Sequence, residues 1–201
     1  MSEHKLANPG PWAVLAFATT SFMLGVYNAG LLPGGGVPIV VDVALIFGGL
    51  MQIIVGILEF TAGNTFTTAV FGSYGPFWVA FGGLELFFAK MIPAAALSSA
   101  IALFLAMFGV LTFIFFIASL KTDWVLIIIF ALIFVTFVVL TIGAATGVGS
   151  WNVLGGWLTI IFAVLAWYHA AAGIIAFTWG REVLPLGKIQ PAAPAKKAAL
   201  A

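Results

Sequence analysis

The stretch 94–146, AAALSSAIALFLAMFGVLTFIFFIASLKTDWVLIIIFALIFVTFVVLTIGAAT, contains two charged residues, Lys121 and Asp123, and they stand together near its middle. Each flank is an apolar run longer than the ~20 residues a helix needs to cross the ~30 Å hydrocarbon core of a bilayer. Runs of this length exclude the strands of a membrane barrel, which alternate over segments of about 10 residues. The stretch therefore reads as two membrane-spanning helices joined by the polar turn Lys121-Thr122-Asp123.

The same reading extends to both ends. Apolar segments 12–32, 40–60, 65–88 and 152–179 are separated by Pro33-Gly34-Gly35-Gly36, Ala62-Gly63, residues 90–93 and residues 147–150, all strong breakers. Gly75-Pro76 is expected to interrupt the third segment. Of the 201 residues 64% are hydrophobic and 6% charged, against about 25% charged in soluble domains. The fold class is accordingly all-α: a polytopic membrane protein with a six-helix bundle over residues 12–180. An N-terminal segment, 1–11, and a C-terminal tail, 181–201, flank it. Such a chain has no room for a soluble catalytic domain. A net charge of +1 argues against nucleic acid, and without cysteine there is no thiolate or Cys-ligated metal.

The N-terminus lacks a basic n-region and a small-residue cleavage site, so the first apolar run is expected to remain as a helix. From Pro185 onward a disordered tail at the membrane surface is expected. Six spans place both termini on one side. Lys5, Lys121, Arg181, Lys188, Lys196 and Lys197 fall on that side and Lys90 on the other. The bias predicts cytoplasmic termini in a plasma-membrane protein.

Polar residues inside spans cost free energy unless paired or wetted, so they mark functional candidates. In the first span Phe17, Thr20, Leu24 and Asn28 share a face. In the second, Gly49, Gln52, Gly56, Glu59 and Gly63 form a small and polar stripe, readable either as close helix packing or as the wall of a pathway. Thr67, Phe71, Tyr74 and Trp78 line one face of the third. In the sixth, Thr159, Ala163, Ala166, Ala170 and Gly173 form a packing stripe suited to a contact between subunits, and His169 is an intramembrane histidine, functional or structural. Asp42 and Glu85 lie near helix ends, where they are expected to reach the interface. His4 and His169 cannot by themselves make a metal site. No G-x-S-x-G, H-E-x-x-H or phosphate loop is present, so neither an enzyme nor a cofactor is expected.

Asn8-Pro9-Gly10-Pro11, Gly63-Asn64-Thr65-Phe66, Ser73-Tyr74-Gly75, Phe77-Trp78, Gly180-Arg181 and Leu184-Pro185 occur in this order at the segment boundaries. Together they resemble the acetate uptake transporter family, which includes bacterial succinate–acetate permeases and fungal acetate and ammonium exporters. The resemblance covers about residues 7–187. It implies a fold like that of the acid-activated urea channels and a homohexamer with a separate pathway in each protomer. It also implies a hydrophobic constriction formed by a Phe, a Tyr and a Leu. Phe17 and Tyr74 match the first two. The third falls on Ile133, a departure, with Leu132 beside it. Asn8, Asn28, Gln52, Glu59, Asn64 and Thr65 carry over from the matching motifs. Trp12-Ala13-Val14 departs from the family's continuation of the first motif. The apolar run 173–177 replaces the acidic and amide residues often found late in the sixth helix.

The expected function is transport of acetate and other small monocarboxylates, with succinate within range. Phe17, Tyr74, Ile133 and Leu132 would form the constriction. Asn8, Thr20, Asn28, Gln52, Asn64 and Thr65 would offer weak polar contacts, suited to a solute that must also leave. Inward movement of an anion against an inside-negative potential costs about 2.3 kcal/mol per 100 mV, which favours a co-transported proton. Glu59 and His169 are the candidates to carry it. Two alternatives stand beside this reading: a passive pore for acetate anion or for neutral urea or ammonia, and a structural membrane subunit without transport.

Overall fold

The computed structural model describes residues 7–189. His4, Lys5 and the end of the tail with Lys196 and Lys197 lie outside them. α1 spans Gly10–Asn28, with a proline in its first turn, where a missing N–H costs nothing. It stops short of the expected boundary at 32. After a 3-10 turn at Gly34–Gly36, α2 (Pro38–Val43), a π segment (Ala44–Leu50) and α3 (Met51–Thr61) form one continuous second span. α4 covers Thr65–Gly83 and leads into a π turn, Leu84–Phe88, and a 3-10 turn, Ala89–Met91. α5 (Ala94–Ser119), α6 (Trp124–Thr146) and α7 (Gly149–Trp179) complete the bundle. α6 and α7 each end on a glycine at positive φ, Gly147 at 70° and Gly180 at 66°, a conformation open to glycine at little steric cost.

Five stretches are long and apolar enough to cross a bilayer: Gly10–Asn28, Gly34–Thr61, Ala94–Ser119, Trp124–Thr146 and Gly149–Trp179. α4 is the remaining helix of the expected six. Its threonines, Ser73 and Tyr74 dilute its apolar character, while Val70, Phe71, Tyr74, Phe77 and Trp78 bury one face in the bundle. Phe60, Phe87, Leu103 and Phe177 are among the large apolar side chains left on the outside, the surface that lipid would cover.

Gly75-Pro76 does not break the third span; Pro76 lies inside a continuous α4. Proline removes the N–H that would bond the carbonyl of Gly72, but the neighbouring span holds this turn in place. A Cβ on Gly75 would sit 2.8 Å from the Ile53 nitrogen, and one on Gly56 would sit 3.0 Å from the Gly72 nitrogen. These glycines let two backbones approach closely, the small-residue packing on which membrane helices rely. The π segment has a similar role: a Cβ on Gly48 would meet Thr20 and Trp78 at 2.9 Å.

The stripe on α7 packs within the chain rather than between subunits. A Cβ on Gly25 of α1 would lie 3.0 Å from the Gly156 carbonyl oxygen, and one on Gly173 would lie 2.9 Å from Pro11. Thr159, Ala163, Ala166 and Ala170 are all buried by this pairing of first and last helices. α1 therefore lies in the bundle's interior, where it can line a pathway.

Residues 185–189, expected to be disordered, are docked. Trp124 N–H donates to the Gly187 carbonyl at 3.1 Å, Val125 N–H to Leu186 at 3.3 Å, and Ile189 N–H to Thr122 at 2.9 Å. The Tyr168 hydroxyl donates to the Pro185 carbonyl at 2.9 Å. The start of α6 has free N–H groups, as every helix does, and this strap supplies acceptors for two of them.

Candidate transport pathway

Two cavities lie on the bundle's interior, at opposite ends. The first, of about 380 Å³, reaches from Asn8 at the start of α1 to the α5–α6 turn and the strap. The second, of about 360 Å³, is bordered by Asn28, Val37, Glu85 and Asn152 at the other end. They share three lining residues, Phe17, Tyr74 and Ile133. These are the three positions that the motif resemblance assigned to a constriction.

The shared group is held from behind. Phe17 stacks between Tyr74 and Phe162, with ring centroids 5.6 Å apart in each case. Tyr74 meets Phe115 edge-on at 5.7 Å. Thr112 donates its hydroxyl proton to the Phe108 carbonyl at 2.8 Å, so the Tyr74 hydroxyl is the donor in the 2.8 Å bond to Thr112. That bond fixes the ring without offering a proton to the cavity. Ile133 is 4% exposed and closes the third side from α6.

The walls of the first cavity are mostly apolar, with a small set of polar groups among them. Gln52 donates Nε2 to the Gly48 carbonyl at 2.6 Å, which leaves its Oε1 a buried acceptor without a partner. Asn64 caps α4, accepting the Thr67 N–H at 3.4 Å. Glu59 is 3% exposed; its Oε2 accepts the Thr67 hydroxyl at 2.6 Å and its Oε1 has no partner. Asn8 Oδ1 accepts the Gly10 N–H at 2.9 Å. Across the cavity His169 Nε2 lies 3.2 Å from Asp123 Oδ2. Asp123 Oδ1 accepts the Leu126 N–H at 2.9 Å and so caps α6. At the mouth the ammonium of Lys188 pairs with Glu182. The second cavity has Ser21, Asn28, Thr136, Asn152 and Thr159 among its polar residues. Thr136 and Thr159 donate their protons to their own helix at 2.7 Å, whereas Ser21 Oγ is buried without a partner. Neither cavity presents a lysine or arginine near the constriction.

Asn8, Gln52, Glu59, Asn64 and His169 thus meet in the first cavity, and Asn28 lies in the second. Of the stripe, Gly49 and Gly56 pack against α4, Gly63 meets nothing within 4 Å, and Gln52 and Glu59 border the cavity.

Three expectations need correction. Thr20 lines neither cavity: it is fully buried against Gly48, its hydroxyl bonded to the Ala16 carbonyl at 2.9 Å. At 3.6 residues per turn Thr20 stands about 60° from Phe17 around α1 and Ser21 about 40° the other way, so Ser21 takes the cavity position. Thr65 is the exposed first residue of α4, and Thr67, roughly 200° further round, lines the cavity in its place. Leu132 lines neither cavity; it is half-buried against the core, about 100° around α6 from Ile133.

Asp123 escaped the sequence reading because it was taken for a turn residue. An Asp directly before a long apolar run is a helix-start signal and could have found it. Nothing in the sequence marked Glu182 and Lys188, since the strap that brings them to the cavity is a tertiary contact.

Residues 1–180 match the GPR1/FUN34/yaaH family. This chain belongs to that family. The succinate-acetate/proton symporter SatP of Escherichia coli is 32% identical over 188 residues, 94% of this chain and 99% of the relative. Ammonia transport outward protein 2 of Saccharomyces cerevisiae is 36% identical over 85% of this chain, which spans 62% of that longer protein. Among solved structures, a bacterial acetate channel, SatP, superposes with a TM-score of 0.84 at 33% identity, over 91% of this chain and all of the other. The family resemblance read from the motifs is thereby established, as is the six-helix membrane fold. These relatives are named as transporters or channels, not enzymes.

Proposed function

We propose that this chain carries acetate and other small monocarboxylates across the membrane through a pathway within each protomer. The observation that carries the reading is the meeting of two largely apolar cavities, each with a few polar groups, on Phe17, Tyr74 and Ile133 alone among the described residues. The names of the relatives support acetate as solute. Asn8, Gln52 and Asn64 serve the solute on one side of the constriction, Asn28 on the other, and the three apolar residues limit its size.

Uptake takes a proton with it. A bare carboxylate within the aromatic constriction would lose its water and find no cation, a desolvation penalty of several kcal/mol. Neutral acid avoids most of that cost, and Gln52 Oε1 is an acceptor placed to receive its hydroxyl. Glu59 and His169, both on the first cavity, are the proton-coupling residues. The first cavity opens to the cytoplasm, in agreement with Lys121, Arg181 and Lys188 at that end, in a plasma-membrane homohexamer. Succinate falls within range as its singly charged form.

A second reading draws on the same cation-free constriction, which would also suit a neutral solute such as ammonia, the solute in the yeast relative's name. Labelled-acetate uptake into proteoliposomes, with pH and voltage clamped separately, tests the first. Nearly electroneutral uptake with lumenal acidification is expected. A voltage-driven current without proton movement would leave only a channel, and absence of acetate flux would remove the proposal.

A further inference from the structure

Glu59, one of the two coupling residues of the proposed pathway, is also a structural anomaly. Its carboxyl group is 3% exposed, one of its oxygens has no partner, and neither of the ion pairs among the described residues includes it. The first turn of α4 faces it, and the start of α1 lies beside it with its own first N–H groups taken by Asn8 and Pro9. Oε2 holds the Thr67 hydroxyl in the first turn of α4 at 2.6 Å. A Cβ built on Gly10, the first residue of α1, would lie 3.1 Å from Oε1 and 3.1 Å from Asn8 Oδ1. Helix N-termini attract negative charge through their free N–H groups and their dipoles. Here the protein's own carboxylate sits where a carboxylate ligand would be drawn. It stands at the end of its own helix, α3 (Met51–Thr61), where negative charge is disfavoured by the opposite pole.

We propose that Glu59 and the substrate carboxylate compete for the Thr67 hydroxyl at the start of α4, so that binding one acetate in the first cavity is coupled to protonating Glu59. The inference rests on the acetate-transport reading and deepens it by assigning the coupling to one residue. With Glu59 ionised, the Thr67 hydroxyl is committed to it, and a second carboxylate would meet a like charge. Proton addition to Glu59 removes that charge and frees the Thr67 hydroxyl to turn to the ligand. The side-chain oxygens of Asn8 and Asn64 are engaged by their own helices, which leaves their amide N–H groups as further donors. One anion enters and one proton is taken up, so the net charge of the cavity is unchanged. By reciprocity, protonation must favour acetate by the factor with which acetate favours protonation.

Other titratable groups on this cavity stand apart from Glu59. On α6 and α7 they are Asp123 and His169, bonded to each other, and on the strap Glu182 and Lys188, also paired. From α4 Tyr74 faces the constriction, its hydroxyl held by Thr112. α1 presents Asn8, Gly10 and Pro11, none of which titrates.

The test is proton uptake on acetate binding by the purified full-length protein in weakly buffered detergent solution. Wild type should take up one proton for each acetate bound, and Glu59→Gln should take up none, with an acetate affinity that no longer varies with pH. Infrared difference spectra of wild type with isotope-labelled acetate give a readout that needs no variant: a protonated-carboxyl band should appear on binding. Acetate binding by wild type without proton uptake and without that band would overturn the inference. So would a Glu59→Gln protein that still takes up one proton per acetate. Either result leaves acetate transport standing, whereas a wild type that moves no acetate in vesicles defeats the transport reading itself.

Discussion

Phe17 and Tyr74 stack with their ring centroids 5.6 Å apart and their planes within 17°, and each faces both cavities. Side chains that line both cavities are where the proposed pathway would be partitioned. The rest of the bundle supports that partition: Phe162 and Phe115 back the two rings, and Thr112 fixes the tyrosine hydroxyl.

Tyr74→Phe keeps the ring and loses the bond to Thr112. It should lower stability by about 1 kcal/mol, the net worth of one buried hydrogen bond, while the solute range stays that of wild type. Tyr74→Ala should cost about 3–5 kcal/mol and open the partition to longer monocarboxylates. Thermal denaturation in detergent and competition of butyrate against labelled acetate measure the two effects.

Ile133→Ala removes the third side of the partition and leaves Phe17 and Tyr74 stacked. A cost of about 2–5 kcal/mol is expected, with admission of larger acids. Ile133→Leu conserves volume, and its cost should remain below about 1.5 kcal/mol. Uptake of a homologous series from acetate to butyrate is the appropriate assay.

Gly156 lies against the backbone of Asn28 and Ala29, where a Cβ would overlap main-chain atoms. Gly156→Ala should force α1 from α7 at a cost of about 1–3 kcal/mol or more. Gly149 faces open space, so Gly149→Ala should stay within about 0.5 kcal/mol of wild type. Melting of the two variants side by side checks the α1–α7 seam, and equal losses would argue against it.

Five of the spans were legible because hydropathy over a span-length window reports burial in lipid directly, and the sixth, α4, was legible from the breakers on either side of it. The residues that the two cavities share could be singled out only through motifs, since composition distinguishes no phenylalanine among the 20 in the chain from another. Rotation around a helix was where periodicity fell short. Thr20 and Ser21 are both small, hydroxylated and near the same face, and α1's fit against the π segment decides which meets the cavity. Pro76 reads locally as a breaker, but Gly56 and Gly75 let α3 brace the helix. The docked strap could not be read from sequence at all. Its backbone bonds to 122–125 depend on where α5 and α6 meet, and its prolines and glycine look like any tail.

Asp123 joins three parts: the first turn of α6, His169 on α7 and, through its backbone bridge to Lys188, the strap. Asp123→Ala should lose about 0.5–2 kcal/mol from the missing cap alone, and the strap should be cleaved faster by protease. His169→Ala keeps the cap and should lose less. A double-mutant cycle on the pair, read by thermal melting, isolates the interaction between them.

The most direct test of the partition is to fill it. Phe17→Trp enlarges one stacked ring within the only group that the two cavities share, and labelled-acetate flux through proteoliposomes, normalised to folded protein, reads the result. A fall of at least about tenfold, equivalent to 1.4 kcal/mol on the barrier to passage, is expected. Flux equal to wild type in a folded Phe17→Trp protein would mean that acetate does not pass between Phe17, Tyr74 and Ile133.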